Sequence, residues 1–178
     1  MVAPVTIVRL DAAGVDAVRG RLGELLIDSV ANGASVGFLG PLGTAEAGDY
    51  WAKVAKAVAQ GSRILLVATG PDGTVEGTVQ LDCDTMPNQP HRATVMKLLV
   101  HSSARRRGIG EALMEAIEQE ALAAGRWLLT LDTATDAAER LYLRLGWTPA
   151  GAIPKYAMNP DGSLTATVFY WKELRPNP

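Results

Sequence analysis

Apolar residues recur at helical spacing in four stretches of the chain. In the first stretch, the apolar residues from Val15 to Val30 fall on one face of a helix with a period of about 3.6 residues. This helix is predicted to end near Ala31, before Gly33. The other three helices are predicted over about 44–60, 110–125 and 136–146.

Short segments that alternate between apolar and polar residues, or are apolar throughout, lie between these helices and predict strands. The predicted strands are 5–10, 63–69, 74–84, 93–100, 127–131, 147–153 and 165–173. Two Pro-Asp-Gly sequences, at 71–73 and 160–162, are typical of tight turns. Strands and helices alternate without an internal repeat or a break in composition, so we predict one domain of the α/β (α+β) class with a mixed sheet.

A strand, a basic turn and a helix follow one another directly in the centre of the chain. The apolar run ends at Val100, three arginines occupy 105–107, glycines stand at 108 and 110, and the helix begins at once. A helix N-terminus carries unpaired N–H groups and a partial positive charge, and glycine lets a bulky anion approach the backbone. Guanidinium groups also match phosphate oxygens. The turn is therefore predicted to bind a pyrophosphate.

Two common phosphate-binding motifs do not fit this turn. A Walker loop needs a Gly-Lys pair, which is absent, and a dinucleotide-binding fingerprint needs a glycine where the chain has Leu113. The remaining pattern, Arg105-x-x-Gly108-x-Gly110 after an apolar strand, resembles the acyl-coenzyme A signature of the GNAT N-acetyltransferase superfamily. The alternative is a basic surface turn capped by glycine.

The composition is that of a globular protein with no strong overall charge. Of 178 residues, 48% are hydrophobic and 20% charged, and the net charge is −2, so the arginine cluster is local and nothing favours nucleic acid as a partner. The single cysteine, Cys83, cannot form an internal disulfide, and neither a signal peptide nor an apolar run of membrane-spanning length is evident. Cys83 and the two histidines, His91 and His101, do not suggest a metal cluster. We expect a cytoplasmic protein without a metal or a membrane partner.

The resemblance to the GNAT superfamily extends over about 5–174, which we expect to be a single acetyltransferase domain. Several segments are similar to the tabtoxin-resistance type of acetyltransferase, namely 33–38, 77–81, 88–92, 97–100, 131–133 and 160–162 with the aromatic segment 168–171. The resemblance implies the GNAT fold, with a mixed, strongly curved sheet of about seven strands, a splayed central strand pair and about four helices.

The resemblance also implies how acetyl-CoA, the expected co-substrate, is held. The pantetheine arm would enter the gap between the splayed strands and pair with Val100, while the N–H of Leu98 would face the acetyl carbonyl. Main-chain groups of the basic turn would hold the pyrophosphate. The implied acetyl-CoA-binding residues are Leu98, Leu99, Val100, Arg105, Arg106, Arg107, Gly108, Ile109 and Gly110.

Two residues are candidates for proton transfer. The position of Tyr142 in the superfamily pattern implies a general acid for the departing thiolate, although a core aromatic residue is the alternative. Asp132 could deprotonate the amine through water or hold it as a cation, or it could simply cap a nearby turn. Relatives of this type commonly carry an acidic residue at Thr94 and many superfamily members an asparagine at Thr135, so we assign neither a direct base nor a cofactor contact at these two positions.

The implied activity is transfer of an acetyl group from acetyl-CoA to a primary amine of a small polar or amino-acid-like molecule, with antibiotic or toxin resistance as one such role. The implied substrate-binding residues are Ser35, Phe38, Gln80 and Tyr156. The alternative is an acyl-CoA-binding sensor or partner domain with weakened turnover, which Thr94 alone favours. A homodimer is compatible with the superfamily and with the aromatic final strand.

Asp82 and Asp84 are expected on one strand face, at the same end of the sheet as the basic turn.

Overall fold

The computed structural model describes residues 5–174, which form one seven-stranded sheet with helices on both faces. The strands are β1 (Thr6–Leu10), β2 (Arg63–Thr69), β3 (Val75–Asp82), β4 (Arg92–Val100), β5 (Leu128–Thr133), β6 (Thr148–Met158) and β7 (Leu164–Glu173). Their order across the sheet is β1-β2-β3-β4-β5-β7-β6. Only β4 and β5 are parallel neighbours, and the other pairs are antiparallel. The predicted mixed sheet is confirmed.

Five α-helices lie within the described residues: α1 (Ala12–Ala17), α2 (Arg19–Ala31), α3 (Thr44–Ala59), α4 (Ile109–Ala123) and α5 (Asp136–Arg144). The first predicted helix is divided at Val18, whose backbone (φ −107°, ψ 11°) ends α1 and precedes α2. Gly14 and Gly20 flank this break, and glycine favours the helix less than any residue except proline. No helix among residues 5–174 has the length and apolar character needed to cross a membrane.

Two hydrophobic cores lie on opposite faces of the sheet, because side chains alternate between the faces along each strand. On one face, α4 and α5 pack residues such as Leu113 and Tyr142 against the middle of the sheet. On the other face, α1, α2 and α3 pack residues such as Trp51 against β2, β3 and the end of β4. The part of this second face formed by β5, β7 and β6 is left open, and Trp171 and Tyr156 are exposed there.

The central parallel strands separate soon after they meet. β4 and β5 are in register only from Arg92 opposite Leu128 to Thr94 opposite Thr130. Beyond this point β4 continues to Val100 and β5 to Thr133 without pairing to each other. The divergence forms a wedge between the two strands, and the facing backbone edges are free to pair with a ligand.

Asp82 does not lie at the end of the sheet that the sequence suggested. The hairpin between β3 and β4 reverses the chain, so Asp82 is in register with Thr94 at the start of β4, whereas Gly77 is in register with Val100 beside the basic turn. The strand also ends at Asp82, before Asp84. The prediction that these carboxylates lie near the basic turn was wrong.

Candidate active site

A bulge in β4 lies beside the wedge. The register with β3 changes from Gln80 opposite Met96 to Thr78 opposite Leu99, so that Lys97 and Leu98 together face a single residue of β3. Lys97 has φ 53°, a left-handed conformation that residues other than glycine rarely adopt. A bulge increases the local twist of its strand and so directs β4 away from β5. Leu98 has no register partner on either neighbouring strand.

The predicted pyrophosphate turn leads from β4 into α4. Arg106 (φ 62°) and Gly108 (φ 79°) are both left-handed, and Gly108 is the N-cap of α4. Gly108 has no side chain to cap the helix, and a Cβ added there would meet no atom within 4 Å. The side chains of Arg105 and Arg106 are exposed. An uncapped helix N-terminus with open space and two exposed guanidinium groups beside it is suited to an anion.

Arg107 is held by the protein itself. Its Nη1 donates to Glu76 Oε1 at 2.7 Å, and this ion pair is largely buried. The same part of β3 is in close contact with α4, because a Cβ on Gly77 would lie 2.9 Å from Ile109 Cγ2. The Arg107 side chain therefore anchors the turn to β3 and leaves only main-chain groups of this residue for a phosphate.

Asp28 fixes the end of β4 to α2. Its carboxylate accepts hydrogen bonds from the N–H of Ser102 at 2.8 Å and from the Ser102 hydroxyl at 2.7 Å. Burial acts to raise the pKa of Asp28, but the hydrogen bonds from Ser102 and the nearby charge of Arg105 hold this pKa below its ordinary value. Asp28 therefore stays ionised at neutral pH and helps to position the turn.

Tyr142 lies on α5 in the core beneath the wedge. Its side chain is 6% exposed, and its ring packs near those of Trp147 and Tyr170. The hydroxyl has no hydrogen-bond partner among the described residues. Burial and the negative charge of Asp132 raise the pKa of Tyr142 above the usual range. Tyr142 therefore keeps its proton at neutral pH.

Asp132 and Lys97 place opposite charges near the wedge. Asp132 lies on β5 beyond the last residue paired with β4, with its side chain on the open face. Partial burial of its carboxyl raises the pKa of Asp132 above its ordinary value, and the charge of Lys97 opposes this shift. Burial lowers the pKa of Lys97, and the charge of Asp132 opposes that shift. Neither an ion pair nor a hydrogen bond joins Lys97 to another described residue.

Thr94 and Thr130 occupy the point at which the strands separate. Their hydroxyl oxygens are 3.2 Å apart, and they form the last register pair between β4 and β5. Two neutral hydroxyls therefore lie side by side where the strands separate. Thr135 is the exposed N-cap of α5 and does not cap the helix with its side chain.

Gln80, one of the predicted substrate-binding residues, is fully buried on β3. Its Oε1 accepts from Arg63 Nη1 at 2.7 Å, and its Nε2 donates to the Tyr50 hydroxyl at 3.0 Å. Arg63 also donates to Asp82 at 3.1 Å. In this arrangement Gln80 positions Tyr50, and its direct contact with a substrate stays a prediction.

The other predicted substrate-binding residues lie in the loop after α2 and on β6. Ser35 and Phe38 are partly exposed in the loop after α2, and the ring of Phe38 packs edge-on against Tyr50 with centroids 5.4 Å apart. Tyr156 is exposed on β6, where it packs edge-on against Phe169, the register partner of Asp132. Phe38 therefore packs with Tyr50, and Tyr156 packs on the residue that is paired with Asp132.

A cavity lies where the loop after α2 meets the turn between β6 and β7. The N–H of Gly40 donates to the carbonyl of Pro160 at 3.1 Å and joins the two segments. The cavity has a volume of about 520 Å³ and is also lined by the end of α2 and by Thr135, which follows β5. It therefore lies at the edge of the sheet toward which the wedge opens.

The sequence pattern alone assigned no role to Lys97 or Tyr50. Lys97 carried a signal, because a lysine within an otherwise apolar central strand is unusual unless its charge has a use. No feature of the sequence indicated a role for Tyr50, since its place beside Gln80 depends on how α3 packs on the sheet.

Within residues 5–174, no group of three or more His, Cys, Asp or Glu side chains could hold a metal ion.

The diverging parallel strands, the bulge and the glycine-headed helix are the fold and site of an acyl-CoA-dependent transferase. The family model for the acetyltransferase (GNAT) domain matches residues 60–149, which is half of the chain and includes β4, the basic turn and α5. The chain therefore belongs to the GNAT family of acetyltransferases, which take the acetyl group from acetyl-CoA.

Solved structures share the fold over nearly the whole chain. The yncA protein of Salmonella typhimurium, solved with acetyl-CoA, has a TM-score of 0.80 and 19% identity, covering 99% of this chain and 97% of that chain. An N-acetyltransferase of Staphylococcus aureus has a TM-score of 0.78 and 18% identity, covering 97% and 100%. A GNAT phosphinothricin acetyltransferase of Sinorhizobium meliloti, also in complex with acetyl-CoA, has a TM-score of 0.77 and 20% identity, covering 98% and 89%.

Proposed function

We propose that this protein is an N-acetyltransferase that moves an acetyl group from acetyl-CoA to a primary amine of a small polar or amino-acid-like molecule. The observation that carries the proposal is the wedge, since pairing between β4 and β5 stops at Thr94 and Thr130. β4 leads from the wedge to the uncapped N-terminus of α4, and Asp132 stands on the opposite strand. A direct transfer needs this succession of an acyl-binding slot, an anion site and a polar group for the amine.

Acetyl-CoA fits the main chain of the wedge and of the turn. The free edge of β4 from Leu98 through Leu99 to Val100 can pair with the amides of pantetheine as an added strand would. The N–H groups from Arg105 to Gly110 then hold the pyrophosphate, with the exposed guanidinium groups of Arg105 and Arg106 beside it. Arg107 and Ile109 contribute through their main chains, because the side chain of the first is paired with Glu76 and that of the second is buried.

Three groups of this chain supply the chemistry. The N–H of Leu98 donates to the thioester carbonyl oxygen as negative charge develops on it. Asp132 attracts the ammonium form of the acceptor and accepts its proton through water, and its raised pKa makes it a stronger base than an ordinary aspartate. Tyr142 is protonated at neutral pH and gives its proton to the departing thiolate.

The subgroup of the GNAT family to which we assign the protein rests on sequence motifs. We place the protein with the tabtoxin-resistance type on the segments 33–38, 77–81 and 131–133, and we propose a role in resistance to an antibiotic or toxin. The name of the Sinorhizobium relative, a phosphinothricin acetyltransferase, supports a small acceptor. We further propose a single cytoplasmic domain over 5–174 that forms a homodimer, supported by the exposed apolar residues of the edge strand β6, including Ile153 and Tyr156.

Thiol release from acetyl-CoA tests the proposal. The purified protein is given acetyl-CoA with amino acids, dipeptides, polyamines or aminoglycosides, and the acetylated product is identified by mass spectrometry. We expect at least one primary amine to release thiol above the rate without acceptor. Tight acetyl-CoA binding with no acceptor-dependent release would contradict the proposal and favour the second candidate function.

That second candidate is a sensor or partner domain that binds acyl-CoA with weakened turnover. The observation that favours it is the hydroxyl pair of Thr94 and Thr130, which provides no carboxylate at the point where the strands separate. Thr94→Glu should raise the rate of thiol release or shift its pH profile if the base has been lost from this position. An unchanged rate and profile would show that deprotonation depends on another group, such as Asp132.

A further inference from the structure

Lys97 carries a charge near the wedge and forms no ion pair with any residue between 5 and 174. The residue is partly buried on β4, and its Nζ lies 5.8 Å from the centre of the Tyr50 ring. The same Nζ is 3.6 Å from the point where a Cβ on Gly37 would lie, so the loop after α2 closes over it. A cation taken partly out of water is unfavourable unless an anion or dipole meets it, and the Tyr50 ring compensates only in part.

The other charges near Lys97 already have partners. Arg63 is paired with Asp82 at 3.1 Å and bound to the amide of Gln80 at 2.7 Å. Besides Arg63, the charged group that acts on Lys97 among the described residues is Asp132. Lys97 and Asp132 influence each other, yet they form no ion pair.

From this arrangement we infer that the acceptor carries a carboxylate beside the amine that is acetylated, and that Lys97 binds this carboxylate while Asp132 attracts the amine. The inference rests on the proposed function, since it assigns a substrate class to the same site. It excludes polyamines and other acceptors without an anionic group as preferred substrates, and it makes Lys97 the residue that determines this specificity.

The backbone and the charges support this role for Lys97. The bulge holds Lys97 at φ 53°, directly before Leu98, whose N–H we propose as the donor to the reacting carbonyl. A carboxylate bound to the Lys97 ammonium group would then lie close to the reaction. The charged form of Lys97 is disfavoured by burial, and so is that of Asp132. A zwitterionic acceptor supplies each with the opposite charge, whereas a simple amine supplies only one.

The test compares each amino acid with its carboxamide and with its decarboxylated amine as acceptors for thiol release. The wild-type protein should prefer the acid by about 10- to 100-fold in kcat/KM, the value of one charge-assisted hydrogen bond. Lys97→Met should remove this preference mainly through KM, and Lys97→Arg should keep most of it. Lys53→Met, at an exposed lysine of α3, is the matched control and should leave the preference unchanged.

The outcomes separate this inference from the proposed function. Amine-dependent turnover with equal use of acid and carboxamide, or an equal loss for both in Lys97→Met, would overturn the inference and leave the acetyltransferase in place. If no amine is acetylated, the proposed function fails, and the same acids and carboxamides are titrated into the complex with CoA by calorimetry. Acid-selective binding that Lys97→Met abolishes would still support the carboxylate site, and its absence would overturn it.

Discussion

Gly108 provides a direct test of the anion site, because the chain contains a matched glycine at the other end of the same helix. Gly108 precedes α4 with φ 79°, and Gly125 follows it with φ 73°. A Cβ added at either position meets no atom within 4 Å. Gly108→Ala and Gly125→Ala therefore add the same methyl group to the same backbone conformation, but only the first adds it where a pyrophosphate is expected.

The expected losses of stability are alike in the two variants. A left-handed alanine costs about 1–2 kcal/mol relative to glycine. The smaller conformational freedom of the unfolded chain returns about 0.4–1 kcal/mol, so each variant should lose roughly 1 kcal/mol in the free energy of unfolding. Chemical denaturation measures this quantity, and a similar value for both variants establishes that the comparison is sound.

The expected effects on acetyl-CoA binding differ. A methyl group on Gly108 that displaces one phosphate oxygen from a helix N–H removes a charge-assisted hydrogen bond, which weakens the Kd by about 10- to 100-fold. Gly125→Ala should bind acetyl-CoA like the wild type. Calorimetric titration measures the Kd of acetyl-CoA for both variants and for the wild type. An unchanged Kd in Gly108→Ala, or an equal weakening in both variants, would refute the assignment of the turn to the pyrophosphate.

Four further predictions follow from the packing and charges of the protein. Gly77→Ala should lower the free energy of unfolding by about 1–3 kcal/mol and weaken acetyl-CoA binding, because its Cβ would lie 2.9 Å from Ile109 Cγ2. Gly48→Ala lies within α3, and its added Cβ would meet no atom within 4 Å. This variant should instead raise the free energy of unfolding by about 0.5–1 kcal/mol, measured by chemical denaturation. Tyr142→Phe should lower kcat more than acetyl-CoA affinity and leave stability nearly unchanged, since the hydroxyl has no hydrogen-bond partner within residues 5–174. Equal losses in kcat and affinity would make Tyr142 structural. Burial raises the pKa of Asp132, so the wild-type activity should fall, as the pH is lowered, at a pH above the ordinary aspartate pKa of 3.8. The activity of Asp132→Asn should not show this fall. If its pH profile keeps the fall, Asp132 is not the base.

The same shift of Asp132 has a consequence for stability. A folded-state pKa raised above its unfolded value favours the folded protein below the unfolded pKa, and this contribution is lost as the pH rises through the folded pKa. Asp132→Asn does not titrate, so its stability relative to the wild type should increase as the pH rises above about 4. Urea denaturation at several pH values measures the difference, and a constant difference across this window would contradict the shift.

The local parts of the fold were predictable from sequence because they depend on short-range patterns. Periodicity located the helices and strands, and the order of apolar run, arginines and glycines identified the basic turn between a strand and a helix. The break at Val18 was missed because the apolar spacing continues across it, while the change lies in the backbone. The position of Asp82 was missed because it depends on the direction of a neighbouring strand.

The candidate site was only partly predictable because its geometry comes from contacts distant in sequence. The motif placed Arg107 with the phosphate-binding residues, but its side chain is bound to Glu76, which is thirty-one residues earlier. The sequence also does not reveal that Gln80 is fully buried and bonded to Tyr50 and Arg63, and its contact with substrate stays a prediction. Which residues share a site depends on the register of β3 with β4, and the sequence does not reveal that register.

The wedge itself is maintained by interactions outside it. β4 is paired with β3 along its outer edge as far as Val100, and β5 is paired with β7 from Leu128 to Thr133. Asp28 fixes the chain just beyond β4 through two hydrogen bonds to Ser102. Neither strand can therefore move to pair with the other without breaking its outer pairing, and the facing backbone groups stay available. Unpaired backbone groups are unfavourable when they leave water, so a ligand that pairs with them gains hydrogen bonds that the protein does not make internally.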